Sequence, residues 1–144
     1  MRFYADTSFL GNLYFGGGRF SALAKRIQNQ FNLVAEVSQL TRLELRLTVL
    51  WNPLTRSACW DAFLKDVANG KFLVQPMRWE RLYQQAESLA EQKGRSLSLG
   101  TLDALHVASA LQLGVTHFIS FDTASRQREF ARSCGLKLVP SEMP

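Results

Sequence analysis

Short apolar runs alternate with amphipathic helical stretches along the whole chain, and this alternation limits the possible folds more than any other feature. Five runs have strand length: Phe3-Tyr4-Ala5, Phe31 to Ala35, Phe72-Leu73-Val74, His117 to Phe121 and Leu136 to Val139. Between them the apolar spacing shifts from two residues to about 3.6. Helices are predicted over Phe9 to Tyr14, Phe20 to Gln30, a stretch begun by Ser38, Thr55 to Ala68, Trp79 to Lys93, Thr101 to Leu113, and Thr123 to Cys134. In the Ser38 stretch, Leu40, Leu43, Leu47 and Leu50 recur at three- and four-residue steps. Gly94, Gly114 and Gly135 fall where helices should end. Strands separated by helices need crossover connections, so the sheet should be mostly parallel and covered on both faces. Such folds collect ligands outside the carboxyl ends of their strands.

Composition narrows the class. The chain has 144 residues, 47% hydrophobic and 20% charged, which fits one domain over 1–144. A chain of about this size buries roughly two-thirds of its unfolded surface, so a core needs no disulfide or structural metal. No run approaches the ~20 apolar residues of a membrane span. The first apolar run meets Asp6 almost at once, unlike a signal peptide, and a cytoplasmic location is expected. Cys59 and Cys134 form no CxxC and read as buried free thiols. Lys plus Arg number 17 against 12 for Asp plus Glu, a surplus that favours polyanionic partners. Gly16-Gly17-Gly18 reads as a loop, since its spacing matches neither phosphate-binding glycine motif.

The placement of four carboxylates carries the chemistry. Asp61, Asp66, Glu80, Glu87, Glu91 and Glu129 fall on polar helix faces, and Glu36 and Glu142 in loops. Asp6 and Asp122 instead end the first and fourth apolar strands, so both side chains reach the same rim of the sheet. Glu44 sits inside an apolar helical stretch. Asp103 opens a helix with no other charged residue from Thr101 to Leu113, where a lone carboxylate needs a partner. Each acid alone also has a structural reading. Asp6 and Asp122 could cap helices, Asp103 suits the positive end of a helix dipole, and Glu44 could pair with Arg42 or Arg46. Together they demand charge compensation, because two unit charges ~4 Å apart repel by about 4 kcal/mol at an effective dielectric of 20. An all-oxygen cluster suits Mg²⁺ or Mn²⁺, which can polarise a phosphate oxygen and activate water. Thr7, Ser8 and Ser120 are placed to orient ligands or waters around it.

In order along the chain, Asp6-Thr7-Ser8, Ser38-x-x-Thr41-x-x-Glu44-Leu45, Asp103-Ala104-x-x-x-Ala108 and Ser120-x-Asp122 resemble the PIN domain, and within it the short VapC-type toxins of bacterial toxin–antitoxin pairs. The resemblance runs from residue 3 to about residue 139. It implies a three-layer α/β/α sandwich on a mostly parallel five-stranded sheet. It also implies divalent-metal-dependent cleavage of RNA, such as tRNA or rRNA, homodimers, and a cognate antitoxin inserting into the site. The family's acids map onto Asp6, Glu44, Asp103 and Asp122, and its hydroxyls onto Ser8 and Ser120. Asp6 and Asp103 are expected to bind the metal directly, and Glu44 and Asp122 to act through water or assist proton transfer.

Other residues have weaker claims. His106 could reach the face of Asp103, with packing or hydrogen bonding expected over a general-base role. His117 has no metal-ligand partner at useful spacing, and zinc is not expected. Trp60 fits a packed stripe with Phe63, Leu64 and Val67, while Trp51 and Trp79 flank proline turns and suit a partner groove. Arg19, Lys25, Arg26, Arg42, Arg46 and Arg56 are candidate phosphate contacts. Arg126, Arg128 and Arg132 are better ones, because they follow Asp122. Two other readings compete. One is a phospho-acceptor switch, which lacks a lysine at a late strand end. The other is a catalytically inactive PIN-like module that binds RNA or a partner.

Overall fold

A computed structural model describes residues 1–144. The elements run β1 (Phe3–Ala5), α1 (Thr7–Phe15), α2 (Ser21–Gln30), β2 (Ala35–Ser38), α3 (Gln39–Leu50), α4 (Pro53–Ala68), β3 (Phe72–Gln75) and α5 (Trp79–Lys93). A 3₁₀ turn at Arg95–Leu97 leads into α6 (Thr101–Gln112), β4 (His117–Ile119), α7 (Gln127–Ser133) and β5 (Lys137–Val139). The five strands are all parallel, in the order β3-β2-β1-β4-β5. The order reverses between β1 and β4, where Asp6 N–H continues the ladder to Ile119 O at 3.1 Å. This is the switch point at which an open parallel sheet leaves a crevice. No helix is long and apolar enough to cross a membrane.

The strands alternate their side chains between two cores. Phe3, Ala5 and Ile119 join Phe9, Leu10, Leu45 and Phe63 on the side of α1, α2 and α4. Tyr4 and Phe118 stack at 5.5 Å and join Leu82, Val107 and Phe130 on the side of α5, α6 and α7. In the first core Tyr14 donates to Asp66 Oδ2 at 2.5 Å, and Lys71 pairs with the other oxygen at 3.2 Å.

The structure departs from the sequence reading in several places. The second strand begins at Ala35, because α2 closes with a turn in which Asn32 is left-handed (φ 43°) and Leu33 N–H bonds back to Gln28 O at 2.9 Å. Glu36 therefore lies in β2, buried, and accepts both a 2.7 and a 2.8 Å bond from Arg2. The last helix begins at Gln127, not Thr123. Asp122 Oδ1 captures the N–H groups of Ala124 (2.9 Å) and Ser125 (3.1 Å) in a turn that competes with helix. In α3 the packed face is Thr41, Leu45 and Val49, while Leu43, Leu47 and Leu50 are exposed. Trp51 and Leu54, which follow in the sequence, are exposed as well. Cys59 and Cys134 are free but only half-buried.

Candidate active site

Asp6 is the first residue past β1 and caps α1. Its Oδ1 accepts Phe9 N–H at 3.0 Å and the Ser8 hydroxyl at 2.7 Å. The capping role that the sequence allowed is thus real, and it leaves the carboxylate buried at the switch point. Burial pushes the Asp6 carboxyl above its usual range, against the downward pull of the Ser120 and Ser8 hydroxyls, the His106 charge and Phe9 N–H. Burial disfavours the charged form of such a carboxyl unless a positive charge lies beside it.

Ser8 and Ser120 join the two strand ends. Ser8 Oγ accepts Phe121 N–H at 2.8 Å and lies 3.4 Å from Ser120 Oγ. Ser120 Oγ donates to Gln127 at 3.2 Å and accepts Asp122 N–H at 3.2 Å. Both oxygens of Asp122 are occupied, Oδ1 by the turn and Oδ2 by the Ser125 hydroxyl at 2.7 Å. Asp103 opens α6 and is half-buried, so it is less enclosed than its apolar helix suggests. Burial, followed by the like charge of Asp122, raises its carboxyl despite Ser125, His106 and Gly100 N–H. The third and fourth acids are thus coupled by their charges.

Glu44 reaches the site from α3. It contacts neither Arg42 nor Arg46, whose guanidinium groups lie over Trp60 instead, 5.7 and 5.0 Å from its ring centre. Its Oε1 accepts Thr7 Oγ1 at 2.9 Å and a short contact from His106 Nε2. Oε2 accepts no hydrogen bond from the protein. Burial pushes the Glu44 carboxyl up, but His106, through bond and charge, and Thr7 outweigh it, so it sits below its ordinary value. Burial would push the His106 imidazole down. The Tyr4 oxygen and the Glu44 and Asp6 carboxylates win, and the net shift is upward, to about 10.

His106 belongs to a hydrogen-bond network whose extent the sequence reading missed. Its Nδ1 meets Tyr4 OH at 2.9 Å, and Tyr4 OH lies 2.8 Å from Ser38 Oγ and 3.0 Å from Thr41 Oγ1. Tyr4 and His106 are buried, and every buried side-chain polar atom has a partner. The available signal was the recurrence of polar side chains at Tyr4, Ser38, Thr41 and His106 within otherwise apolar elements. The arginines after Asp122 are committed elsewhere. Arg126 pairs with Glu129, buried Arg128 donates to Ser120 O and Pro140 O, and Arg132 donates to Ser141 O and Glu142.

The donor set fits a hard divalent cation. It is all oxygen, one acid is buried with a raised carboxyl, and Glu44 presents an oxygen free of other bonds. No three His, Cys, Asp or Glu side chains lie close enough to enclose an ion by themselves. Mg²⁺ or Mn²⁺, if bound, would keep several waters beside the few protein oxygens available.

Comparison with known proteins agrees with this architecture. No curated protein sequence matches the chain. Among solved structures it is similar to Mycobacterium tuberculosis VapC20, described as a sarcin–ricin loop cleaving toxin, with TM-score 0.71, 18% identity and 99% of each chain covered. It is also similar to VapBC2 from Rickettsia felis, solved bound to a DNA fragment from their promoter, with TM-score 0.67 and 17% identity over 96% of this chain and 97% of that one. The PIN domain profile matches residues 3–132. With its five-stranded parallel sheet and its match to the PIN domain profile over residues 3–132, the chain belongs to the PIN domain family.

Proposed function

We propose that the protein is a divalent-metal-dependent endoribonuclease and the toxin of a type II toxin–antitoxin pair. The observation that carries this reading is the position of Asp6, between the β1 and β4 ends, buried and tied through Ser8 and Ser120 to the segment bearing Asp122. Family membership and the likeness to two VapC-containing structures support it, as does the net charge of +5.

Asp6 and Asp103 would hold Mg²⁺ or Mn²⁺, and Glu44 and Asp122 would orient water there or assist proton transfer. The ion, when bound, supplies Lewis-acid activation of a phosphate oxygen and of water. Ser8 fixes the Asp6 carboxylate, Thr7 fixes that of Glu44, and Ser120 holds the backbone that carries Asp122. The substrate is a structured RNA, as the toxin VapC20 suggests by likeness of fold, with tRNA and rRNA loops as the first candidates. A cognate antitoxin covers the site, and the exposed apolar side chains of Leu43, Leu47, Leu50, Trp51 and Leu54 serve a homodimer. The protein works in the cytoplasm.

The test is cleavage of a panel of tRNAs and ribosomal RNA fragments by the wild type and Asp103→Asn, in Mn²⁺, Mg²⁺ and EDTA. Discrete cuts that need metal and vanish in the variant are expected. Absence of both cutting and metal binding would overturn the reading in favour of a partner-binding module.

A further inference from the structure

Glu44 is the one candidate acid that comes from the middle of a helix rather than from a strand end or a helix start. Nothing in α3 holds its side chain toward the crevice. The two groups that do come from elsewhere: Thr7 at the start of α1 and His106 on α6. Both reach the same oxygen, Oε1. A carboxylate held by two donors on one oxygen cannot rotate freely, and its other oxygen, Oε2, is the one left without a protein partner. His106 is itself held from behind. Its Nδ1 rests on Tyr4 OH, and that hydroxyl is anchored by Ser38 and Thr41. Tyr4 is wholly buried and stacked on Phe118. The ring therefore has one orientation, with Nε2 facing the site.

We propose that His106 is a positioning residue: with Tyr4 behind it, it fixes the Glu44 carboxylate through Oε1 and leaves Oε2 as the oxygen that would serve a metal ion or its water. It touches neither substrate nor metal. The inference rests on the metal-dependent reading of the site. Its chemistry follows from the donor inventory. Nε2–H must donate, because an ionised carboxylate only accepts. Groups that hold a ligand carboxylate or a ligand histidine in place typically account for about 10–100-fold in metal affinity.

The experiment measures Mn²⁺ affinity by electron paramagnetic resonance in the full chain, with thermal melting as a check of folding. The variants are His106→Phe, His106→Gln and Tyr4→Phe. His106→Phe keeps the ring volume and loses the donor. His106→Gln places an amide N–H near the position of Nε2. Tyr4→Phe removes only the rear anchor. Expected results are an affinity loss of about tenfold or more in His106→Phe, partial recovery in His106→Gln, and a smaller loss in Tyr4→Phe. RNA cleavage should show kcat falling with KM unchanged. In the metal-free protein, a slowly exchanging downfield imidazole N–H proton should be visible by NMR, and it should disappear in Glu44→Gln. Unchanged Mn²⁺ affinity in folded His106→Phe and in Tyr4→Phe would overturn the positioning role alone. A wild type that binds no Mn²⁺ while showing the imidazole proton would overturn the metal-dependent reading, and with it the purpose of the clamp.

Discussion

Ser8 Oγ donates to Asp6 Oδ1 at 2.7 Å and at the same time accepts Phe121 N–H at 2.8 Å. One hydroxyl thus holds the first acid and fastens the segment just past β4 beside it. Its donation also opposes the burial that raises the Asp6 carboxyl. Ser8→Ala removes that opposition, so Asp6 will take up its proton at a higher pH. Metal binding competes with that proton. The acid limb of the cleavage profile should therefore move to higher pH in Ser8→Ala, with about tenfold lower activity at neutral pH. A pH–rate series on both proteins checks this.

Asp6→Asn should abolish cleavage without unfolding the chain. The amide oxygen can still accept Phe9 N–H, which preserves the cap of α1. The sign for stability follows from the raised carboxyl. Ionisation of Asp6 disfavours the folded state once pH rises above the ordinary value of 3.8, so a neutral amide removes that penalty. The melting temperature at pH 7 should be equal to or higher than that of the wild type. Asp103→Asn should behave alike, since the same direction of shift applies. Activity should fall by about 100-fold or more in each, the loss of a metal contribution of several kcal/mol. Calorimetric melting beside RNA cleavage separates the two effects.

The architecture was legible because period and punctuation agree. Apolar runs, helical spacing and terminal glycines set the order of elements, and the strand ends announced Asp6 and Asp122. What was not legible depended on competition between local and distant bonds. Asn32 closes α2 and shifts β2 forward, which turns Glu36 from a loop residue into the buried partner of Arg2. Asp122 captures N–H groups that would have started α7 early. The tie between Glu44 and His106 spans 62 positions, and no spacing rule links an α3 glutamate to an α6 histidine. The leucine period of α3 marked an apolar face correctly but could not say whether that face lies inside the chain. Leu45 and Val49 are buried, while the stripe itself faces solvent.

That stripe yields a prediction about assembly. Leu43, Leu47 and Leu50 are each roughly half exposed, and Leu54 is 98% exposed. Exposed large apolar side chains three and four residues apart on one helix suit an interaction surface. Leu43→Glu with Leu47→Glu should convert a dimer into a monomer, as read by light scattering after size-exclusion chromatography, with the melting profile kept. A variant that stays dimeric would place the subunit interface elsewhere.

Tyr14 offers a test of stability away from the acids. Its hydroxyl donates to Asp66 Oδ2 at 2.5 Å in a partly buried setting beside Phe63 and Phe72. A hydrogen bond to a charged group contributes about 1.5–3 kcal/mol, so Tyr14→Phe should destabilise the chain by roughly that amount while leaving RNA cleavage unchanged. The alkaline behaviour follows from the phenol. Burial, and then the bond and charge of Asp66, raise it well above its ordinary value of 10.0. A group raised in the folded state lends stability that is complete below the unfolded value and is lost as pH rises through the folded one. The wild type should therefore lose stability above about pH 10 more steeply than Tyr14→Phe does, and the gap between them should narrow there. Denaturant unfolding of both proteins at pH 8 and pH 11 measures that gap. A constant difference across the range would mean that the phenol does not stay protonated against Asp66.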